Sequence, residues 1–383
     1  MSKPIQKVEI QFSGTTWSDV TTFIQGISIR RGKSRELDRY QAGTASIVLN
    51  NNQRTFDPTN SLSPYYGNIT PKKRVRISAN NVIQFLGTID DWNFEFEPNG
   101  NNTAVAVMTD DLRNLANQVI DARTNSVETT GSRIGTILSL PEIDWPLAER
   151  AIDTGQQTLG ADTIDQGTNV LTYLQAVESS EPGSIFIGKN GFFVFKDRTV
   201  TPSATIPVLA DDNSGIKYTD IRVVYGTELL FNNIVLVNQV TGGTAIGNSL
   251  DSQALYGILN LTQDNMLQNL QTDTQDIADY WSNKYGNPEY RFESVSIFLN
   301  ELSSTDQDKL LNLELNDVVQ IIFTPGNPPT GSAISAYAEV IRIEHRADIP
   351  THTLTLGFAT LNNTFLVLDD VVFGRLDQNA LAW

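Results

Sequence analysis

The sequence predicts a mainly β chain in which two small antiparallel β-barrels flank an α+β insert. Three observations carry this. Short runs of alternating polar and apolar residues, separated by turn signals, fill residues 1–108. Helix-capping residues and apolar spacings of three and four appear from Thr109 onward. Strand texture then returns and continues to about residue 360.

In residues 1–108, the expected strands are Lys7–Phe12, Ile24–Arg30, Thr44–Leu49, Lys72–Ser78, Ile83–Asp90, Trp92–Glu97 and Thr103–Met108. Ser13-Gly14-Thr15-Thr16, Asn80-Asn81 and Pro98–Asn102 have turn composition. Short strands at this spacing indicate a small antiparallel barrel or sandwich. Trp17 is an expected core or rim aromatic.

The insert is expected over residues 109–215. Asp110 is placed to cap a helix with Leu112, Leu115 and Val119. Ser132 is placed to cap a second, with Ile134, Ile137 and Leu138. Thr168 is placed to cap a third, with Val170, Leu171, Leu174 and Val177, stopped at Pro182-Gly183. Ser184–Gly188 and Phe192–Lys196 read as a hairpin across Lys189-Asn190-Gly191.

The second barrel is expected over residues 216–360. Its strands are Asp220–Tyr225, Leu229–Val240, Tyr290–Leu299, Asp317–Phe323, Ala336–His345 and Thr351–Phe358. Thr241–Ser249 reads as an exposed hairpin tip, and Thr324–Pro329 as a rigid loop. Thr272-x-x-Gln275 has capping-box spacing. The helix it opens, Asp273–Tyr285, carries Ile277, Trp281 and Tyr285 on one face, expected to pack on this barrel. Residues 361–383 remain, with Phe365–Leu368 and Val371–Phe373 as apolar runs; they read as a docking tail.

Composition narrows the function. There are no cysteines, so thiolate chemistry and cysteine metal sites are excluded. No apolar run approaches the ~20 residues that span a bilayer, and the N-terminus lacks the apolar stretch of a signal peptide. The net charge of −17 is uneven: residues 1–76 hold 12 Lys+Arg against 5 Asp+Glu (+7), and the rest 15 against 39 (−24). Such asymmetry predicts a basic face and an acidic face. The overall sign argues against stable nucleic-acid binding, which phosphate attraction dominates.

Candidate chemistry is sparse. His345 and His352 flank a turn, and two histidines alone make a weak metal site. The pairs Asp110-Asp111, Asp211-Asp212 and Asp369-Asp370 suit caps and Asx turns better than a calcium loop. Gly-x-Ser-x-Gly, His-Glu-x-x-His and phosphate-loop patterns are absent. Neither an enzyme nor a bound cofactor or metal is expected.

The most distinctive stretch is Arg30–Ile77. It joins two strands by a charged connection with Arg31, Lys33, Arg35 and Arg39. A long loop with Phe56, Tyr65 and Tyr66 follows. Long loops inside compact domains commonly have a task, and this composition is favoured where surfaces meet. These seven residues are therefore the candidate interface.

The same stretch resembles a segment near the start of minor tail proteins of long-tailed phages, especially those of actinobacterial hosts. The matching run is Arg31-Gly32-Lys33-Ser34-Arg35-Glu36-Leu37-Asp38-Arg39-Tyr40, then Ala42-Gly43-Thr44-Ala45. Phe56-Asp57-Pro58-Thr59-Asn60 and Ser63-Pro64-Tyr65-Tyr66 follow. A second, more diffuse likeness runs through Tyr225-Gly226, the helix from Asp276 to Pro288, Tyr290-Arg291 and Leu313-Glu314-Leu315-Asn316-Asp317. It resembles the hub proteins of phage tails and baseplates. The usual form of the last motif is Leu-Gly-Asp; Asn316 stands where Gly is usual, and the turn there is where this chain departs from the pattern.

The resemblance implies a baseplate-hub-like fold and a structural role. Two barrels per chain and three chains per ring would join a sixfold tail tube to a threefold tip and let genomic DNA pass at ejection. The implied partners are further copies of the chain (a homotrimer), the distal tail ring, the tape measure and tip or fibre proteins. The implied location is the tail tip of the virion, after synthesis in the host cytoplasm. A hexameric distal tail ring protein and a host-binding adhesin are the alternatives.

Overall fold

The computed structural model describes residues 2–98, 100–199, 206–325, 333–348 and 350–361. The first part of the chain forms β1 (Gln6–Ile10), β2 (Ser18–Asp19), β3 (Ile24–Gly32), β4 (Gln41–Asn50), β5 (Arg74–Ala79), β6 (Val82–Glu95) and β7 (Thr103–Thr109). Asn80 and Asn81 both take positive φ (46° and 64°) in the tight β5–β6 turn, a conformation asparagine tolerates best after glycine. The two strands expected between Ile83 and Glu97 are one strand. β6 pairs with β5 through its first half and with β7 through its second, and the register shift between Ile89 and Asp91 marks the join.

The insert holds α1 (Leu112–Ala116), β8 (Val119–Ile120), β9 (Arg123–Asn125), β10 (Glu128–Thr129), α2 (Thr130–Leu138), β11 (Arg150–Ile152), β12 (Thr158–Leu159), β13 (Asp162–Ile164), β14 (Thr168–Asn169), α3 (Val170–Ser180), β15 (Ser184–Ile187) and β16 (Phe193–Lys196). The caps differ slightly from the expected ones, falling three residues before Ser132 and one residue after Thr168. Thr129 accepts from Ser132 N at the start of α2, and Asn169 accepts from Thr172 N at the start of α3. Val119 is outside α1, exposed at the start of β8.

The remainder forms β17 (Val208–Ala210), β18 (Asp220–Tyr225), β19 (Asn233–Asn238), β20 (Thr244–Asn248), α4 (Leu250–Tyr256), β21 (Asn260–Met266), α5 (Gln271–Tyr285), β22 (Tyr290–Phe298), α6 (Ser304–Asn312), β23 (Val318–Phe323), β24 (Ile334–Asp348) and β25 (His352–Thr360). The sequence reading missed α6, whose signal was Ser303: its hydroxyl accepts from Asp306 N and donates to Asp306 Oδ2. The capping box expected at Thr272 does not form. Gln275 turns instead to β20, where it bonds both Ile246 N and Ile246 O.

The architecture is mainly β, but the two separate closed barrels expected from the sequence are not what the hydrogen bonds build. One 13-stranded sheet runs β18-β22-β25-β24-β3-β4-β7-β6-β5-β1-β2, with β23 and β17 branching from β24. Among the described residues no sheet closes on itself. The physical reason is β24. Its first part pairs with β23 and its last seven residues pair with β3, from Arg342↔Gly32 to Asp348↔Gly26. One strand thus belongs to both lobes. Each lobe keeps its own core: Ile10, Phe12, Ile47, Phe56 and Phe85 in the first, Val295, Leu311, Ile321 and Leu356 in the second. A third core fills the insert, around Leu115, Ile134, Leu174 and Phe193.

Ile277, Trp281 and Tyr285 are 1%, 6% and 6% exposed. They pack with Ile234, Leu236 and Ala245 on a separate three-stranded sheet, β20-β19-β21, rather than on the long sheet. The expected tail at 361–383 and the loop at 326–329 lie outside the described residues, save for Leu361.

Two stability predictions follow from this packing. Gly32 has φ +110°, and a Cβ there would sit 2.1 Å from the Ile341 carbonyl oxygen. Gly32→Ala should cost about 3 kcal/mol or more, because both strain and backbone overlap oppose it; an unchanged urea midpoint would show that β24 and β3 can separate freely there. Trp281→Ala should cost ~3–5 kcal/mol through the cavity it leaves, read from the same denaturation curve.

Candidate functional site

The connection from β3 to β4 is built as an internal junction. Arg31 is 3% exposed; its guanidinium pairs with Glu314 and donates to Ile187 O at 3.1 Å. Glu314 also accepts from Lys189 N at 2.8 Å. Lys189 Nζ donates to the carbonyls of Leu311, Asn312 and Leu313 at 2.7–3.1 Å, which satisfies the C-terminal end of α6. Three units therefore meet at one charged node: β3 of the first lobe, the β15–β16 hairpin of the insert, and the α6–β23 loop of the second lobe.

That loop contains Asn316, with φ +70°. The left-handed turn is retained without glycine, since asparagine is the side chain that enters this region most readily after it. The side chain also acts. Its Oδ1 accepts from the Tyr40 hydroxyl at 2.9 Å, and its Nδ2 donates to Ser184 Oγ at 3.0 Å and Glu339 Oε1 at 2.5 Å. Burial drives the Tyr40 hydroxyl well above its ordinary pKa and raises the Glu339 carboxyl.

The rest of the connection is tied to the periphery. Lys33 Nζ lies 4.8 Å from the Tyr40 ring centroid. Glu36 pairs with Lys284 and accepts from the Tyr285 hydroxyl at 3.0 Å, at the end of α5. Burial pushes the Glu36 carboxyl up, but Lys284 and the hydroxyl outweigh it and hold it below its ordinary value. Arg35 pairs with Glu228 at 2.9 Å, and Arg39 donates to Gln175 Oε1 and Ser179 Oγ on α3.

The long loop has a regular construction. Backbone bonds from Arg54 to Asn51, Asp57 to Arg54, Asn60 to Asp57, Ser63 to Asn60 and Tyr66 to Ser63 close a chain of turns every three residues. Asp57 accepts from Thr59 N and Oγ1 and from Arg54 Nε, and Ser63 Oγ donates to Thr55 O. Phe56 is fully buried among Phe12, Phe23, Tyr65 and Trp92. Tyr65 stacks on Phe12 with centroids 4.0 Å apart.

The seven candidate interface residues therefore separate. Arg31 and Phe56 are interior and offer nothing to a partner, which corrects the expectation for those two. Lys33 and Tyr65 are half-buried against their own chain. Arg35, Arg39 and Tyr66 are exposed, with Tyr66 at 54% and its neighbour Leu62 at 91%. The sequence reading missed Glu36, Lys189, Lys284 and Glu314 as members of the junction. Glu36 and Glu314 stood inside the quoted motifs, but only the fold brings their partners to them.

The remaining candidates are structural. His345 Nδ1 and His352 Nε2 lie 3.0 Å apart, both buried. Burial and the neighbouring ring push His345 well below its ordinary pKa, and burial pushes His352 down to about 4. Neutral rings sharing one proton explain the pair. Among the described residues no three His, Cys, Asp or Glu side chains are grouped to hold a metal. Asp110 accepts from Gly43 N and Leu112 N, Asp111 holds Arg74, and Asp212 accepts from Ser214 N. Asp369-Asp370 lies outside the described residues.

No protein-family model matches the sequence, and no curated protein matches it. Solved structures do. A tail protein from Neisseria meningitidis MC58 aligns with a TM-score of 0.63 at 11% identity, covering 92% of this chain and 96% of that one. The 43 kDa tail protein of prophage MuSo2 from Shewanella oneidensis aligns at 0.59 and 11% identity, over 93% and 97%. An E. coli component of the type VI secretion system, itself similar to bacteriophage T4 tail proteins gp27 and gp5, aligns at 0.51 and 8% identity, over 89% and 74%.

Buried carboxylates give the junction a pH signature. Burial raises Glu178 from 4.5 to about 7, although it accepts from Ile185 N at 2.7 Å, and raises Asp110 from 3.8 to about 7. A raised folded-state pKa means that the folded chain keeps a proton which the unfolded chain releases. The stabilisation is complete below the ordinary value and is lost as pH rises to about 7. Glu178→Gln should remove its share, reducing the fall of unfolding free energy between about pH 5 and 7 by up to about 1.4 kcal/mol per pH unit. Urea titrations across that range check it; an unchanged slope would mean that Glu178 is ionised in the folded chain.

At 8–11% identity these likenesses are ones of fold alone: over nearly its whole length, this chain is similar in fold to a prophage tail protein and to a second tail protein.

Proposed function

We infer that the chain is a structural component of a bacteriophage tail, a tail-tip hub that assembles as a trimeric ring. One observation carries this reading: the fold likeness extends over 92–93% of this chain and 96–97% of two tail proteins, so it is not a shared fragment. The sequence resemblance at Arg31–Ala45 and Phe56–Tyr66 supports the same assignment independently. In this reading the two lobes, each with its own core although neither is a closed barrel, would serve as the two units per chain that a pseudo-sixfold ring of three requires.

In this reading the exposed Arg35, Arg39 and Tyr66 face neighbouring tail proteins such as the distal tail ring. The acidic remainder of the chain, at −24, turns carboxylates toward the lumen. A lumen of that sign repels DNA over the Debye length of ~8 Å at physiological salt and lets the genome slide past during ejection. A lysine-lined wall would retain it.

Light scattering of the purified chain should give three times 42.3 kDa; six times that mass would favour a distal tail ring instead. The double variant Arg35→Glu/Arg39→Glu should fold normally, since both side chains are exposed, yet fail to enter tails. Normal tails built from it would overturn the placement of that surface.

A further inference from the structure

The chain has two histidines, and the fold brings both to the seam between β24 and β3. His345 lies in the part of β24 that pairs with β3. It stands between Ile29 of β3 and Leu354 of β25. His352 opens β25 opposite Ala347. The two are 3% and 2% exposed.

Hydrogen bonding fixes how this pair carries its protons. His352 Nδ1 is buried and has no partner among the described residues. A buried N–H without an acceptor is rarer in folded chains than an acceptor without a donor, which places the His352 proton on Nε2. That N–H donates to His345 Nδ1 at 3.0 Å, so His345 carries its own proton on Nε2. A third proton has two places to go. On His345 Nδ1 it would set two N–H groups against each other. On His352 Nδ1 it would be a buried donor with no acceptor, at the full cost of desolvation.

The surrounding charge has the same effect. The charged groups acting on the rings are Arg31 of β3, Lys189 of the β15–β16 turn and Lys3 of the N-terminal segment, all cations. Glu314 is already bound to Arg31 and to Lys189 N, and Asp348 acts on Lys3. Asn300 meets His352 with a neutral amide, accepting from its backbone N. β22 faces this end of β25 with Phe298, opposite Thr353. Glu344 and Arg346 alternate with His345 along β24 and so lie on the other face of the strand.

We propose that the histidine pair is an acid-operated latch on the β24–β3 seam, which holds while both rings are neutral and parts when they take up protons. The folded rings bind fewer protons than separated ones. The latch's contribution is therefore complete above the ordinary histidine value of about 6.5 and is lost as pH falls below it. This sign is opposite to that of Glu178 and Asp110. The inference concerns a single chain and stands apart from the tail assignment.

Amide hydrogen exchange at about pH 7 and about pH 5, corrected for the intrinsic rate, tests it. Residues 26–32 and 342–348 should lose protection at least about tenfold, while residues 233–238 on the small sheet keep theirs within about twofold. Unchanged protection at the seam would overturn the proposal, and so would an equal loss in all three segments, which is general unfolding. The double variant His345→Leu/His352→Leu should hold the seam closed over the same range. A tenfold loss that persists in it would show that other groups open the seam. If that variant fails to fold, the ring nitrogen NMR shifts of the unaltered chain decide. Both rings should stay neutral for as long as the seam amides are protected, and a cationic ring inside a protected seam would refute the latch.

Discussion

The structure depends on one strand pairing, β24 with β3. Seven consecutive residue pairs join β24 of the second lobe to β3 of the first. Without this seam each lobe would be a separate sheet with its own pair of edges. With it, the lobes share a backbone ladder, and their relative position is set by hydrogen-bond geometry rather than by a linker. The seam has a steric condition. At Gly32 the backbone comes so close to Ile341 that no side chain fits. Glycine stands between two basic residues because the chain leaves the sheet there with a positive φ.

The charged node beside the seam has a different role. A buried ion pair such as Arg31–Glu314 gains little net free energy, because removing both groups from water offsets their attraction. Such pairs discriminate well, however: a buried guanidinium without its carboxylate is strongly unfavourable. The node therefore selects the arrangement in which the β15–β16 hairpin, the end of α6 and β3 converge. Lys189 adds to this by closing three carbonyls of the α6 terminus at the same point. Asn316 and Tyr40 extend the network to Ser184 and Glu339, so the three units are joined by polar bonds of fixed direction as well as by apolar contact.

The most distinctive motif is largely devoted to folding. Phe56 fills the first core, Asp57 ties its own turn, and Ser63 fastens the loop back on Thr55. A sequence run this specific invites a binding role, yet most of it satisfies backbone groups in a loop that has no ladder to do so. What remains for a partner is the outer rim: Leu62, Tyr66 and the exposed arginines.

The sequence by itself determined most of the longer strands and helices and where the texture changes, though not α6 or β20. Period-two alternation, asparagine turns and caps are local, and local free energies decide them. β18 and the β15–β16 hairpin follow this closely. Tertiary structure alone decided the partners. That β24 serves two lobes and that Arg31 turns inward depend on residues more than 150 positions away, and that α5 lies on its own small sheet depends on strands outside the helix's own local sequence. A basic side chain reads the same whether it meets solvent or a buried carboxylate, and only the fold supplies Glu314. The exposed surface was least legible for the same reason, since exposure is what remains after every long-range contact has been made.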